Sequence, residues 1–348
     1  MATIPGSQFQ VTAPSLPMNV VQTTDGTGPA PISGDFNLEV FLGGSAGSPT
    51  TPAAGYQGLM VLGPSGLALD LISGAFAVTD NGSGNDTLSA HGSNETISGG
   101  PASALLNLFG NNEVANGGGQ DTINVFANAD TVNGNGDDLI NVFGTGDWVA
   151  GGSGNDTINV SGTGNSVAAG SGNNLINVLG SAETITAGTG NDTINLSGNG
   201  FVDAGGPGNT MINASGNGDT IGAGTGSDTI AVSGLDNMVA LGTGNDTVFI
   251  SGSNDTVLSG SNAGGNHGQI NLSGQNMTLT DGPNQYADTV IGFDQGSGDR
   301  IHLTTDTAAN AVAHSSPVNG GQDTLITLSD GSTLLLKGVT HLDSTFFS

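Results

Sequence analysis

The decapeptide from Gly151 to Val160, GGSGNDTINV, returns in close variants every 17 to 18 residues between about Gly82 and Ile250. This periodicity leaves few folding options, because one copy is too short to bury an apolar face and the copies must stack on one another. Aligned, the copies give an acid column that reads Asp86, Ala104, Asp121, Asp138, Asp156, Asn174, Asp192, Thr210, Asp228 and Asp246. Two residues later runs an unbroken aliphatic column: Leu88, Leu106, Ile123, Ile140, Ile158, Ile176, Ile194, Ile212, Ile230 and Val248. Two further on lies another, from Ala90 and Leu108 through Val125, Val142, Val160, Val178, Leu196, Ala214 and Val232 to Ile250. Apolar side chains at every second residue are the signature of a strand with one face in a core.

Half a period later a weaker copy predicts a second core column of Ile97, Val114, Val132, Val149, Val167, Ile185, Val202, Ile221, Val239 and Val257. One coil is thus turn, strand, turn, strand. The fold class is all-β: a parallel β-solenoid or β-roll of 17- to 18-residue coils with a β cap at each end. Glycine supplies the corners, since tight turns need positive φ and a backbone close enough to offer its carbonyls to a ligand.

Composition narrows the partners. The chain has 30 acidic residues against two bases, Arg300 and Lys337, and no cysteine. A formal charge of −28 argues against nucleic acid and against an anionic membrane surface. No apolar stretch reads as a transmembrane span; Leu59 to Val78 is broken by Gly63, Pro64, Gly66 and Asp70 and reads as two strands around a turn. The start, MATIPGSQFQ, lacks the basic and apolar regions of a secretory signal peptide.

The turns resemble those of the RTX (repeats-in-toxin) β-rolls, whose repeat GGxGxDxUx, with U aliphatic, binds calcium. Gly151, Gly152, Gly154, Asp156 and Ile158 fit every fixed position, while Gly188, Gly190, Asp192 and Ile194, and Gly242, Gly244, Asp246 and Val248, lack only the first glycine. Calcium takes six to eight hard oxygens, which a carbonyl-exposing turn beside a carboxylate can supply. The resemblance implies Ca²⁺ between turns one coil apart, held by an Asp from each. Only Asp121 with Asp138, Asp138 with Asp156, and Asp228 with Asp246 provide both; where Asn174, Thr210 or Ala104 substitutes, weaker binding or none is expected. The acids of the opposite turn, Glu95, Glu113, Asp130, Asp147, Glu183, Asp219 and Asp255, read equally as solvated turn residues or as ligands.

The tail ADTVIGFDQGSGDRIHL, from Ala287, resembles the C-terminal flank of RTX proteins exported by type I secretion. Its Asp288, Val290, Phe293, Gly298, Asp299 and Ile301 match DxIxxFxxGxDxI, with the glycine nearer the second Asp than usual, and Asp288 and Asp299 are candidates for a last ion. The domain reading is an extended arm over 1–34, a β-rich cap or docking segment over 35–81, the calcium-binding roll over 82–260, and a C-terminal cap with secretion signal over 261–348. Gly43, Gly44, Ser45, Ala46 and Gly47 spell the GxSxG nucleophile motif, but without the βα units that it needs. No catalytic residue is therefore assigned.

Two outward columns bear on partners. Asn107, Asn124, Asn141, Asn159, Asn177, Asn195 and Asn213 recur coil by coil, as stacked amides bonded along the axis would. Beside them Thr87, Leu105, Thr122, Leu139, Thr157, Leu175, Thr193, Met211, Thr229 and Thr247 mix Thr with apolar residues, which suits lateral packing better than a regular ice-binding row. The resemblance implies export from a Gram-negative bacterium through the type I machinery and folding on calcium outside the cell. The leading expectation is a non-enzymatic structural protein that self-assembles into a filament, surface layer or biofilm matrix. The alternative is a non-catalytic binding module for ice or polysaccharide.

Overall fold

The computed structural model describes residues 77–80, 84–260, 267–282 and 286–348 in full, and upstream of residue 77 the backbone of seven short strands. The GxSxG segment lies outside the described residues. The chain divides into two compact units, residues 1–159 and 160–348, both parallel β-solenoids.

In the first unit one ladder stacks Met18–Thr23, Phe36–Phe41, Gly58–Val61, Ala77–Asp80, Thr96–Ser98, Val114–Asn116, Thr131–Asn133 and Trp148–Ala150, all parallel. A second ladder stacks Pro49–Thr50, Ala68–Leu71, Thr87–Ala90, Leu105–Leu108, Thr122–Val125 and Leu139–Val142. Strands from the regions expected to form an arm and a cap thus join the same parallel ladders as the repeats. Ala2–Thr3 and Gln10–Val11 form a separate antiparallel pair.

The second unit repeats the plan with longer strands. Leu175–Ser181, Thr193–Asn199, Met211–Asn217, Thr229–Leu235, Thr247–Ser253 and Gln269–Gln275 each run seven residues, against four for the corresponding first-unit strands such as Thr122–Val125. Opposite them run the three-residue strands from Ser166–Ala168 to Arg300–His302. The ladders continue past Gly260, where the sequence repeat weakens. Ala287–Ile291 then pairs with Thr333–Leu336, which closes an antiparallel meander with Asp323–Thr327 and Ser315–Val318. Phe293 stacks on Phe346 with ring centroids 5.9 Å apart. The one α-helix among the described residues, Ala308–Ala313, is far too short to cross a membrane.

Each coil places three side chains inside, and burying one aliphatic side chain contributes about 1.5–3 kcal/mol. The long-strand column from Leu88 to Val248 is fully buried and continues through Ile270 and Val290. The short-strand column differs from the predicted one at two positions. Ile97 is in register with Ala115, not Val114, and Val114 faces outward, half-buried. Ile185 is in register with Asp203 and Asp203 with Ile221, so Val202 is 51% exposed while Asp203 is buried. Stacking fixes the register, and a shift of one residue to rescue Val202 would turn the whole strand over.

In that coil the acid has changed places with an apolar residue: Phe201 fills the buried position that Glu183 and Asp219 hold in the neighbouring coils. Among the described residues neither carboxylate oxygen of Asp203 has a well-formed hydrogen-bond partner, and burial, only partly offset by the Ala204 N–H, pushes its carboxyl up to about 7. An unpaired buried polar group costs about 1–3 kcal/mol or more. Asp203→Ile restores the column and is expected to raise the unfolding midpoint by several degrees at pH 8, measured by thermal denaturation; no rise would mean that the acid is solvated.

Candidate functional site

The acids of both turns are buried, and they hold successive coils together. On the first edge the backbone N–H of one coil donates to Oδ1 of the aspartate in the next: Ala104 to Asp121 (2.6 Å), Asp121 to Asp138 (2.8 Å) and Asp138 to Asp156 (2.9 Å). In the second unit the donors are Asn174 to Asp192 (2.7 Å), Thr210 to Asp228 (2.7 Å), Asp228 to Asp246 (2.9 Å) and Gly268 to Asp288 (3.0 Å). Asn174 and Thr210 still donate their backbone N–H, but neither adds a carboxylate. Asp86 is buried at the head of the column.

The second edge repeats the device. Glu113 donates to Asp130 (2.7 Å) and Asp130 to Asp147 (2.8 Å); in the other unit Asn165 donates to Glu183, Phe201 to Asp219 (3.0 Å), Asp219 to the amide oxygen of Asn237 (2.9 Å) and Asn237 to Asp255 (2.8 Å). These acids are at most 1% exposed, so they are not solvated turn residues. Asp299 ends this edge, taking the N–H groups of Met277 and Asp294. Asp288 lies on the first edge and Asp299 on the second, and the structure does not bring them to one point.

The second oxygen decides what an edge can do. Asp121 and Asp138 turn Oδ2 back onto their own turns, onto the N–H groups of Gly118 (2.7 Å) and Asn135 (2.9 Å). Oδ2 of Asp130, Asp192, Asp219, Asp228 and Asp255 is buried with no hydrogen-bond partner among the described residues. The glycines that precede Asp156, Asp192 and Asp246 have left-handed φ: Gly152 +91°, Gly154 +122°, Gly188 +93°, Gly190 +133°, Gly242 +69° and Gly244 +141°. Gly190 shows why no other residue fits, since a Cβ there would lie 1.8 Å from the carbonyl oxygen of Gly172 in the preceding coil. The turns are also bonded to one another, as Thr189 donates to the carbonyl of Gly170 and Gly172 to that of Thr189.

Among the described residues no three acidic or histidine side chains converge on one point. A cation held here would take one or two carboxylates and complete its shell from turn carbonyls. The donor set is all oxygen, and its unpartnered carboxylate atoms fit a hard cation.

Charge makes the same demand. Both bases are occupied in the C-terminal region: Lys337 pairs with Asp323 at 3.0 Å, and the Arg300 guanidinium donates to the carbonyls of Gln295 and Asp299. The first unit contains no Lys or Arg at all. Burial, with like charge one coil away in several cases, pushes Glu113 up to about 8, Asp246 to about 7, and Asp130, Asp147 and Asp156 to about 6. These values lie above the unfolded ones of 3.8 and 4.5, so the folded state holds its protons more tightly. Stability is then greatest below about pH 4 and is lost as pH rises to about 8. In EDTA, acidification from pH 8 to pH 5 is expected to raise the unfolding midpoint, the reverse of ordinary acid denaturation; a midpoint that falls over this range would refute it.

The staple and the charge are separable, because Asn237 already shows that an amide oxygen can hold a coil. In EDTA at pH 5, where protonation of the buried acids keeps the chain folded, Asp130→Asn is expected to keep the chemical-denaturation midpoint. Asp130→Ala strands the Glu113 N–H and is expected to cost about 1–3 kcal/mol.

The outward asparagines form the expected rows, with Asn124 to Asn107, Asn141 to Asn124, Asn159 to Asn141, Asn195 to Asn177 and Asn213 to Asn195 each bonded at 2.9 Å. A further row, Asn133 to Asn116 to Ser98, runs along the short strands. Sequence reading missed a stack of exposed rings in the first unit: His91, Phe109, Phe126 and Phe143, with centroids 4.4, 5.0 and 5.4 Å apart. The signal was present, for these residues recur at 17 to 18 residues, one position beyond the aliphatic column.

Fold and site together define a class, the parallel β-solenoid with acid-lined edges. Comparison with protein-family models, with characterised proteins and with solved structures finds no match.

Proposed function

We propose that this chain is a secreted calcium-binding structural protein of the RTX kind, exported unfolded by a type I system, folding on calcium outside the cell and assembling with copies of itself. One observation carries the reading: both edges bury about one carboxylate per coil, and the protein supplies almost no cation to match them. Protons or metal ions must neutralise those columns, and a medium at neutral pH with millimolar calcium offers the metal. Extracellular calcium modules bind at roughly 10⁻⁴ to 10⁻³ M, and a tenfold excess over the dissociation constant stabilises by about 1.4 kcal/mol per site. About five such sites would contribute roughly 7 kcal/mol, comparable to the whole stability of a domain. The same coupling keeps the chain open in calcium-poor cytosol.

A second reading, a non-catalytic adhesin-like module, is favoured by the stack of Phe109, Phe126 and Phe143, which are 43 to 55% exposed on a sheet face otherwise made of Thr, Leu and Asn. Polysaccharide is the ligand class to test.

Circular dichroism and light scattering on one sample separate the readings. At neutral pH in EDTA the β signal is expected to be weak; millimolar calcium restores it, and scattering rises with concentration as copies associate. A β signal indifferent to calcium would overturn the folding switch, and a calcium-loaded monomer at high concentration would overturn assembly.

A further inference from the structure

The short-strand ladder of the second unit ends on a piece of the chain's own tail. Arg300–His302 is the last named strand of that ladder. Arg300 donates its N–H to the Met277 carbonyl and His302 accepts from the Asp281 N–H, so both face the preceding coil. Peptide groups alternate sides along a strand, which turns the N–H and C=O of Ile301 to where a next coil would lie. An edge of this kind is a template for pairing with another strand. Here Phe347 pairs in parallel with Ile301, and Ser348 donates its N–H to the Ile301 carbonyl at 3.0 Å. Phe346, Phe347 and Ser348 thus stand in for the missing strand.

The hold on them is light. Gln295 donates to Thr345 Oγ1 at 3.3 Å, Phe346 lies on Phe293, and the Ser348 carbonyl oxygen is 3.3 Å from His302 Nδ1. Ser344, Thr345 and Ser348 are exposed, and the last buried side chain before them is that of Leu342. The long-strand ladder offers no such edge, because Ala287–Ile291 continues into the meander through Thr333–Leu336.

The other end of the chain holds the complement. In the first unit the short-strand ladder begins with Met18–Thr23, in parallel with Phe36–Phe41, and no described strand pairs with its other side. The long-strand ladder starts later in the chain, at Pro49–Thr50. One end therefore presents a strand of the short ladder and the other an edge of it. Met18–Thr23, MNVVQT, also brings no acid to a chain of formal charge −28.

We propose that the tail is a displaceable stand-in, and that the Ile301 edge takes the Met18–Thr23 strand of a second copy in parallel, joining copies head to tail. Such a contact is heterologous and, unless rotation closes a ring, builds open chains. The tail sets how readily they start. The proposal rests on the self-assembly reading and names its surface.

The chain has no cysteine, so His302→Cys with Ser348→Cys in the full-length protein can lock the tail across its last pair. In millimolar calcium, by sedimentation velocity and electron microscopy, the oxidised form is expected to stay monomeric where the reduced form associates end to end. A chain ending at Asp343 is expected to associate at a concentration at least tenfold below that of the full chain. Val20→Pro with Val21→Pro, which removes a donor from each side of the strand, is expected to abolish that gain. Equal association of oxidised and reduced forms, or no gain on shortening with circular dichroism unchanged, would overturn the tail's role. A gain that survives the proline pair would overturn the strand as its occupant. If every form associates alike, self-assembly stands and this surface falls; if none associates, both fall.

Discussion

The bond between a backbone N–H and the carboxylate of the next coil is the interaction on which this structure depends. A thin solenoid has little core per residue, and its corners are where a parallel stack most easily comes apart. By placing one buried acceptor at each corner of most coils, the sequence satisfies amides that the turn geometry takes out of the strand ladders. A neutral acceptor does this as well as a charged one, as Asn237 shows. The charge of the others is therefore surplus to the staple.

That surplus makes the fold conditional. Neutral staples throughout would give a solenoid indifferent to its surroundings. Carboxylates tie coil stacking to whatever neutralises them, and the scarcity of Lys and Arg hands that role to the solvent. The exchange at Phe201 and Asp203 inverts the arrangement locally, with an apolar residue at a staple position and an acid in the core. The coil still closes, because Phe201 donates its N–H to Asp219 like any other residue at that position.

The columns were legible in the sequence because two periods coincide: alternation within a strand and recurrence of the coil. The long-strand core, from Leu88 to Val248, could be read outright. Legibility failed where adjacent residues competed for one slot. Val114 beside Ala115, and Val202 beside Asp203, both tempt the reader to place valine inside, and only the count from the neighbouring coil places it outside. The turn aspartates and their glycines were found by motif. The burial of the opposite acids was not, since an acid after a glycine reads as a surface turn until the next coil is laid over it.

The asparagine rows have a direction. The bonds in them all run one way, each from an amide N–H to an oxygen on the N-terminal side, and two rows begin on a serine hydroxyl, at Ser89 and Ser98. Rows of aligned amide dipoles have unlike ends. A hydroxyl can accept such a bond and still rotate its proton elsewhere, so serine can finish a row at the donating end. Whole coils can thus be inserted or removed within a row with every amide still matched, which gives such proteins a means of changing length without inventing a new surface.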